Sequence, residues 1–168
     1  MVKIDLGCGA FKREGFIGVD LMPHYGVDII ATAYNLPIRK HIVRELNTDQ
    51  MLEHLHYPAL CLLECNRVIR MFNDLIISIP NIMFYRRFLR WSLKGKTSVA
   101  REHVSSWGLP EMTNLLKDFG FKYRHHGFST HKRYHKLNRL EKLLNKFRPS
   151  IGSHNLYMRF EKWESLES

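Results

Sequence analysis

The run Asp74-Leu75-Ile76-Ile77-Ser78-Ile79, stopped by Pro80-Asn81, constrains the fold more than any other stretch. Successive side chains of a strand point to opposite faces, so a strand without alternation is apolar on both. Such a strand needs cover on each side, which is the situation of a parallel sheet in an α/β protein. The pattern around it agrees. Residues 2–6, 16–21, 27–31 and 42–46 read as strands, and helical spacing runs from Pro58 to about Ile69. Pro110 opens another helix, with Met112, Leu115, Leu116 and Phe119 on one face and Gly120 as its cap. A strand near 121–128, a basic helix near 136–147 and a strand near 154–162 follow. This order predicts a layered α/β sheet, mostly parallel, with the last strands antiparallel at one edge.

Two short crossovers qualify that picture. Strands one and two are separated by about nine residues and strands two and three by about six, whereas a parallel crossover normally takes a dozen or more. Loops or single turns are therefore expected there, leaving part of one sheet face without helical cover. A homodimer, or cover by the C-terminal helix, is the expected remedy.

Residues 4–9, Ile-Asp-Leu-Gly-Cys-Gly, carry the strongest chemical signal. A strand ending in Gly7-Cys8-Gly9 presents backbone N–H groups at the carboxyl end of a sheet, where a ligand can approach the main chain closely. Asp20, ending the next strand, can accept two hydrogen bonds from a ribose diol. Together they outline a nucleoside site. A dinucleotide fingerprint is disfavoured, because position 12 is Lys rather than Gly and Asp20 follows Gly9 by eleven residues.

Further words fall in a recognisable order: Gly15-Phe16-Ile17-Gly18-Val19-Asp20-Leu21, Asn35-Leu36-Pro37, Met51-Leu52-Glu53-His54-Leu55, Glu64-Cys65-Asn66-Arg67-Val68-Ile69, Ser78-Ile79-Pro80-Asn81, Arg101-Glu102-His103-Val104 and Leu116-Lys117-Asp118-Phe119-Gly120-Phe121. Over about residues 2–128 the chain resembles the class I S-adenosylmethionine-dependent methyltransferases, the small type 11 group in particular. The resemblance implies a Rossmann-like three-layer sandwich, a mostly parallel sheet with an antiparallel C-terminal edge strand. It implies one methyltransferase domain over 1–168, with a basic and aromatic lid at about 82–102. S-adenosylmethionine is the implied cofactor. Asp5, Leu6, Gly7, Cys8 and Gly9 would wrap its amino-acid part, Asp20 would hold the ribose and Leu21 would lie beside the adenine. Thr32 and Ala33 would meet the adenine edge, and Asn47 would line the methionine moiety. Thr32 stands where the family has Asp, so its hydrogen bond lacks charge assistance. Arg70-Met71-Phe72-Asn73 replaces the family's Lys-Pro-Gly-Gly.

Methyl transfer needs an acceptor aligned with the sulfonium methyl, and a general base only if the acceptor is protonated. His54 and His103 are the catalytic candidates, with Asp49 beside them; Glu53 reads as a surface or capping group. Cys8 reads as a packing residue, and Cys61 and Cys65, four apart on one helix face, as core. No metal is expected. There is no CxxC word, and the run His125, His126, His131, His135 has no acidic or Cys partner.

Three cysteines in 168 residues make no disulfide framework, and no apolar run reaches the roughly 18–20 residues of a membrane span. Asp5 interrupts the N-terminal stretch, unlike a secretory leader. A cytoplasmic setting is expected. The formal charge is +10, with the excess after Pro80. Arg86, Arg87, Arg90, Lys94 and Lys96 interleave with Tyr85, Phe88 and Trp91. That combination suits a lid over an anionic substrate, a lipid surface or a nucleic-acid groove. A small-molecule or lipid- or sugar-linked acceptor comes first by resemblance. An RNA methyltransferase, or a catalytically degenerate module that binds an anionic partner, are the alternatives.

Overall fold

A computed structural model describes residues 2–94, 103–129 and 139–166. Lys96 and the rest of 95–102, His131 and His135 lie outside the described residues. The strands are β1 (Val2–Leu6), β2 (Ile17–Asp20), β3 (Ile29–Ile30), β4 (Val43–Asp49), β5 (Ile69–Pro80), β6 (Phe121–Ser129) and β7 (Asn155–Lys162). The helices are α1 (Pro58–Val68), α2 (Tyr85–Lys94), α3 (Leu109–Asp118), α4 (Arg139–Phe147) and α5 (Pro149–Gly152). A single 3-10 turn, Leu52–His54, follows β4.

All seven strands form one sheet in the order β3-β2-β1-β4-β5-β7-β6. The first five run parallel, and β7 pairs antiparallel with both β5 and β6. This is the Rossmann-like, mostly parallel architecture with antiparallel C-terminal strands that the sequence predicts. Inserting β7 makes β6 the outermost strand. The strand order reverses between β1 and β4, which opens a crevice at their carboxyl ends, where ligands of open α/β sheets bind.

The core follows the sequence pattern. Leu75, Ile77 and Ile79 of β5 are buried, with Met158 and Phe160 of β7 beside them. Helix α1 contributes Cys61, Leu62, Cys65 and Val68, all buried; the two cysteines share a face as expected. Helix α3 buries Met112 and Leu116, two of the four residues assigned to its inner face, with Leu115 and Phe119 half-buried.

Several elements run further than the sequence pattern indicates. β4 continues to Asp49, because pairing to β1 on one side and β5 on the other satisfies the backbone of its polar residues. β5 starts directly after α1, so Arg70–Asn73 belong to a strand and not to a connecting loop. The extra residues between Ile69, opposite Val43, and Asp74, opposite Glu45, are taken up around Phe72, whose φ is +60°.

As the crossover lengths imply, residues 7–16 and 21–28 carry no helix; the longer connection 31–42 has none either among the described residues. Polar staples hold them instead. Lys12 Nζ donates to both oxygens of Asp28 (2.9 and 2.7 Å), whose Oδ2 also accepts from the Gly18 amide at 2.8 Å. On α1, Arg67 donates to Glu64, to Leu36 O (2.9 Å) and to Ile38 O (2.8 Å), while Glu64 accepts from the Leu36 amide at 2.7 Å. The Glu64-Cys65-Asn66-Arg67 word thus clamps the chain between β3 and β4.

Candidate functional site

The Gly7–Gly9 turn leaves β1 at the crevice. Gly7 has φ +72°, and a Cβ there would stand 2.5 Å from the Met51 side chain. Glycine is therefore required both by the backbone and by the close approach of Met51. The Gly7 amide donates to Val19 O at 2.8 Å, which holds the turn against β2. Asp20 completes the fixture: Oδ2 accepts from the Gly9 amide at 2.8 Å and Oδ1 from the Met22 amide at 3.0 Å. A carboxylate offers about four acceptor positions, so Asp20 ties the turn and retains capacity for a ligand.

Asp5 does related work from behind. It is buried, and its Oδ2 accepts from the Arg13 amide at 2.8 Å while Oδ1 accepts from Asn47 Nδ2 at 2.7 Å. The first crossover is thereby fastened to β4.

A cavity of about 410 Å³ opens at this end of the sheet, within the roughly 300–1,000 Å³ of small-molecule sites. Of the residues implied for the cofactor, Leu6, Gly7, Asp20, Leu21, Thr32 and Ala33 line it. Asp5, Cys8, Gly9 and Asn47 do not; they are the scaffold of the turn. Burial and the nearby Asp5 and Asp20 push the Cys8 thiol up, away from the reactive thiolate. The wall also contains Tyr34, Gln50, Met51 and His54. The first three escape a reading of the sequence. The signal for Gln50 and Met51 is the true end of β4 at Asp49, because residues just past a carboxyl strand end at the crevice face the ligand. Gln50 is fixed by its amide donating to Ser78 O at 2.9 Å.

No protein-family model matches the sequence, and no curated protein matches it. Solved structures do. The methyltransferase in complex with the Haloferax volcanii Trm112 methyltransferase activator superposes with a TM-score of 0.69 and 12% identity, over 99% of this chain and 84% of that one. An S-adenosylmethionine-dependent methyltransferase from Thermotoga maritima gives 0.67 and 17%, over 96% and 82%. The chain has the class I methyltransferase fold. The cyclase SpnF shares it, with a TM-score of 0.64 and 12% identity over 96% and 75%. A methyltransferase fold therefore fixes the architecture, and the reaction has to be argued from the site.

Beside the cavity this methyltransferase fold holds an unusual cluster. Glu53 is buried, at 1% exposure, not the surface or capping group its sequence suggests. The reason is tertiary. Segment 103–105 crosses over it, with the Val104 and Ser105 amides donating to Glu53 O at 2.9 and 3.3 Å. Neither carboxylate oxygen of Glu53 has a hydrogen-bond partner. Desolvation raises its pKa, opposed first by the approach of its own backbone N–H and then by the charges of His54 and Arg87, and reinforced by Asp49. Burial lowers that of Arg87. The two catalytic candidates meet here: the His54 and His103 rings pack edge to face at 4.7 Å, although 49 positions separate them. His125 and His126 stand apart on the exposed edge strand β6, where His126 Nδ1 pairs with the Tyr123 hydroxyl at 2.6 Å.

The basic segment after Pro80 is anchored at one end. Asn81 Nδ2 donates to Ser150 O and Ser153 O, both at 2.8 Å, and Phe84 stacks on His154 at 4.1 Å. These contacts tie the start of α2 to α5. Arg86, Leu89, Arg90 and Leu93 of α2 are exposed. Among the described residues, no helix is long and apolar enough to cross a membrane.

Proposed function

We propose that this chain is a methyltransferase of the small type 11 kind that uses S-adenosylmethionine to modify a small or lipid-linked acceptor. The observation that carries the reading is the convergence of Gly7, Asp20, Leu21 and Thr32 on one cavity at the point where the strand order reverses. The residues fit the cofactor. Leu6 and Gly7 line the cavity where its amino-acid end would lie, Asp20 has acceptor capacity for a diol, and Leu21 and Ala33 give apolar walls for a base. When bound, the cofactor supplies an electrophilic methyl group on a sulfonium centre.

The protein's own share is positioning. The Asp20 and Asp5 fixtures hold the turn, and Met51 closes over Gly7. Aligning two bound reactants supplies much of the rate of such a transfer. His54, on the cavity wall, and His103 beside it are placed to take a proton from a hydroxyl acceptor.

Helices α2 and α4 support the lipid-linked class. Each is basic and amphipathic, and each exposes apolar side chains: Leu89 and Leu93 on α2, and Leu140, Leu143 and Phe147 on α4, with Lys142 and Lys146 exposed nearby. Such helices lie on anionic lipid surfaces.

Calorimetry with S-adenosylmethionine and S-adenosylhomocysteine tests the cofactor. Micromolar binding is expected, and no heat at high micromolar ligand would leave a non-catalytic binding module. Sedimentation with phosphatidylglycerol vesicles tests the surface; binding to those but not to phosphatidylcholine vesicles is expected. Retention by RNA alone, lost at modest salt, would reverse the ranking of acceptors.

A further inference from the structure

We propose that Glu53, His54 and His103 form a binding site for one divalent transition-metal ion. The side-chain donor atoms of these three residues lie within 4.8 Å of one another. Two ligands about 2.1 Å from a tetrahedral ion stand about 3.4 Å apart, so small side-chain rotations close the triad on a metal. Two imidazoles and one carboxylate suit zinc, cobalt, nickel or ferrous iron, and not the all-oxygen shells of calcium or magnesium.

The buried carboxylate makes this more than a cluster of ligating types. Glu53 is 1% exposed, and both its oxygens lack a hydrogen-bond partner. A buried carboxylate in that state is costly unless a charge is supplied to it. Asp49 adds negative charge close by and Arg87 adds positive charge without bonding to it. The two histidine rings, edge to face at 4.7 Å, bring their donor atoms within 4.8 Å of this carboxylate and of each other. The scaffold is stiff where it matters. His54 follows Glu53 within the single turn 52–54, and the His103 segment is pinned by the two amide bonds to Glu53 O.

Spacing along the chain hides the site. Zinc words place their ligands at short fixed intervals, whereas here the third ligand comes from position 103 and meets 53 and 54 only through the fold. Since His54 also lines the cavity, an ion held here stands at its wall. Three protein ligands leave a fourth position for water or an acceptor oxygen, as in catalytic rather than structural sites. That use of the ion rests on the cofactor reading above and takes the place of proton acceptance by His54 and His103, whose free lone pairs would go to the metal; the binding site itself does not rest on that reading.

The test uses the full chain, stripped with chelator and then titrated with Co2+ alone or Zn2+ alone. One ion per chain is expected, with the visible absorption of cobalt in a low-symmetry nitrogen and oxygen site. Glu53→Gln and His103→Asn are each expected to weaken binding by about 100-fold or more, since even supporting residues behind a ligand cost 10–100-fold. His125→Asn, on the exposed edge of β6, is expected to change nothing. Circular dichroism and S-adenosylhomocysteine calorimetry on the same variants report whether they fold. Absence of binding overturns the site, as does equal binding by the Glu53 and His103 variants or an equal loss in the His125 variant. Metal binding without cofactor binding would sink the methyltransferase reading alone; cofactor binding without metal would sink only the metal site.

Discussion

The two sides of the sheet are built differently. On one side of the switch point β1, β2 and β3 have 5, 4 and 2 residues. On the other, β4, β5, β6 and β7 have 7, 12, 9 and 8. All five α-helices belong to the long-strand side, and among the described residues the crossovers of the short side have none. The long side is held by apolar packing. The short side is held by charged groups bonding to main chain: Asp5 to Arg13, Asp20 to Gly9 and Met22, Asp28 to Gly18, Glu64 and Arg67 to Leu36 and Ile38. Packed helices resist reshaping, because cores have few voids and transmit strain. Loops on polar staples can take the irregular path that a ligand cavity needs. Each side should therefore fail in its own way when mutated.

The largest effect is expected in the packed half. Phe160 is fully buried, lies opposite Leu75 and Tyr123, and meets the Tyr123 ring edge-on at 5.9 Å. Phe160→Ala should cost about 3–5 kcal/mol of unfolding free energy, measured by urea denaturation. Its effect on cofactor affinity in the surviving folded fraction should be small. A loss below about 1 kcal/mol would show that this half is not the stabilising one.

Asp20→Ala is the reverse case. It removes the fixture of Gly9 and an acceptor on the cavity wall. The cofactor should bind more weakly by about 1.5–3 kcal/mol, the range for a hydrogen bond to a charged group, which is about 10–150-fold in Kd. Stability should change less than in the Phe160 variant. Unchanged affinity by calorimetry would place the ribose elsewhere.

The same division explains what the sequence reveals. β1, the glycine turn and Asp20 are legible because turn chemistry is local: Gly takes a positive φ at no steric cost, and two of them flank Cys8 at the end of a strand. The start of α1 is legible from Pro58 for the same reason. β4 is legible only in its first part, over 42–46; Asn47, Thr48 and Asp49 have no strand pattern of their own and become strand by pairing on both sides. Glu53 is the sharpest case. A Glu in a short polar turn belongs at the surface on average, and only the distant 103–105 segment buries it. Leu6, Gly7, Asp20, Leu21, Thr32 and Ala33 line the cavity because the resemblance carries their positions, while Gln50 and Met51 depend on where β4 ends.

A smaller effect should follow from Arg67→Ala. The guanidinium is partly exposed, so its pairing with Glu64 is worth little by itself. It also bonds to the carbonyls of Leu36 and Ile38; its loss takes the donor from Ile38 O and leaves Leu36 O with the Ile38 amide at 2.7 Å. About 1–2 kcal/mol of stability should go. Amide exchange should speed up locally at Leu36 and Tyr34, ahead of any change in β5 or β7. Uniform acceleration across the sheet would mean that the staple supports the whole fold and that the two sides are not independent.

The gentlest probe is alkaline pH, read at one buried lysine of the packed side. Lys162 is fully buried, and its ammonium donates to Asn66 O at 2.6 Å and Ile69 O at 3.0 Å. Burial lowers its pKa from the ordinary 10.5. The folded state thus gives up this proton more readily than the unfolded chain. Between the lowered folded value and 10.5 the unfolded state binds more protons, so this residue's contribution makes stability rise with pH through that window. Below the folded value both states are charged and the contribution is flat at its least favourable. Other groups titrate in alkali, the Cys8 thiol of the glycine turn among them, so the informative quantity is a difference. Lys162→Met retains the stem and removes the titration. The stability of the wild type relative to this variant should improve as pH climbs toward 10.5, in urea melts at matched ionic strength. A flat difference for Lys162 would mean that the two carbonyls compensate its burial completely, making this corner of the packed half a polar staple like those on the other side.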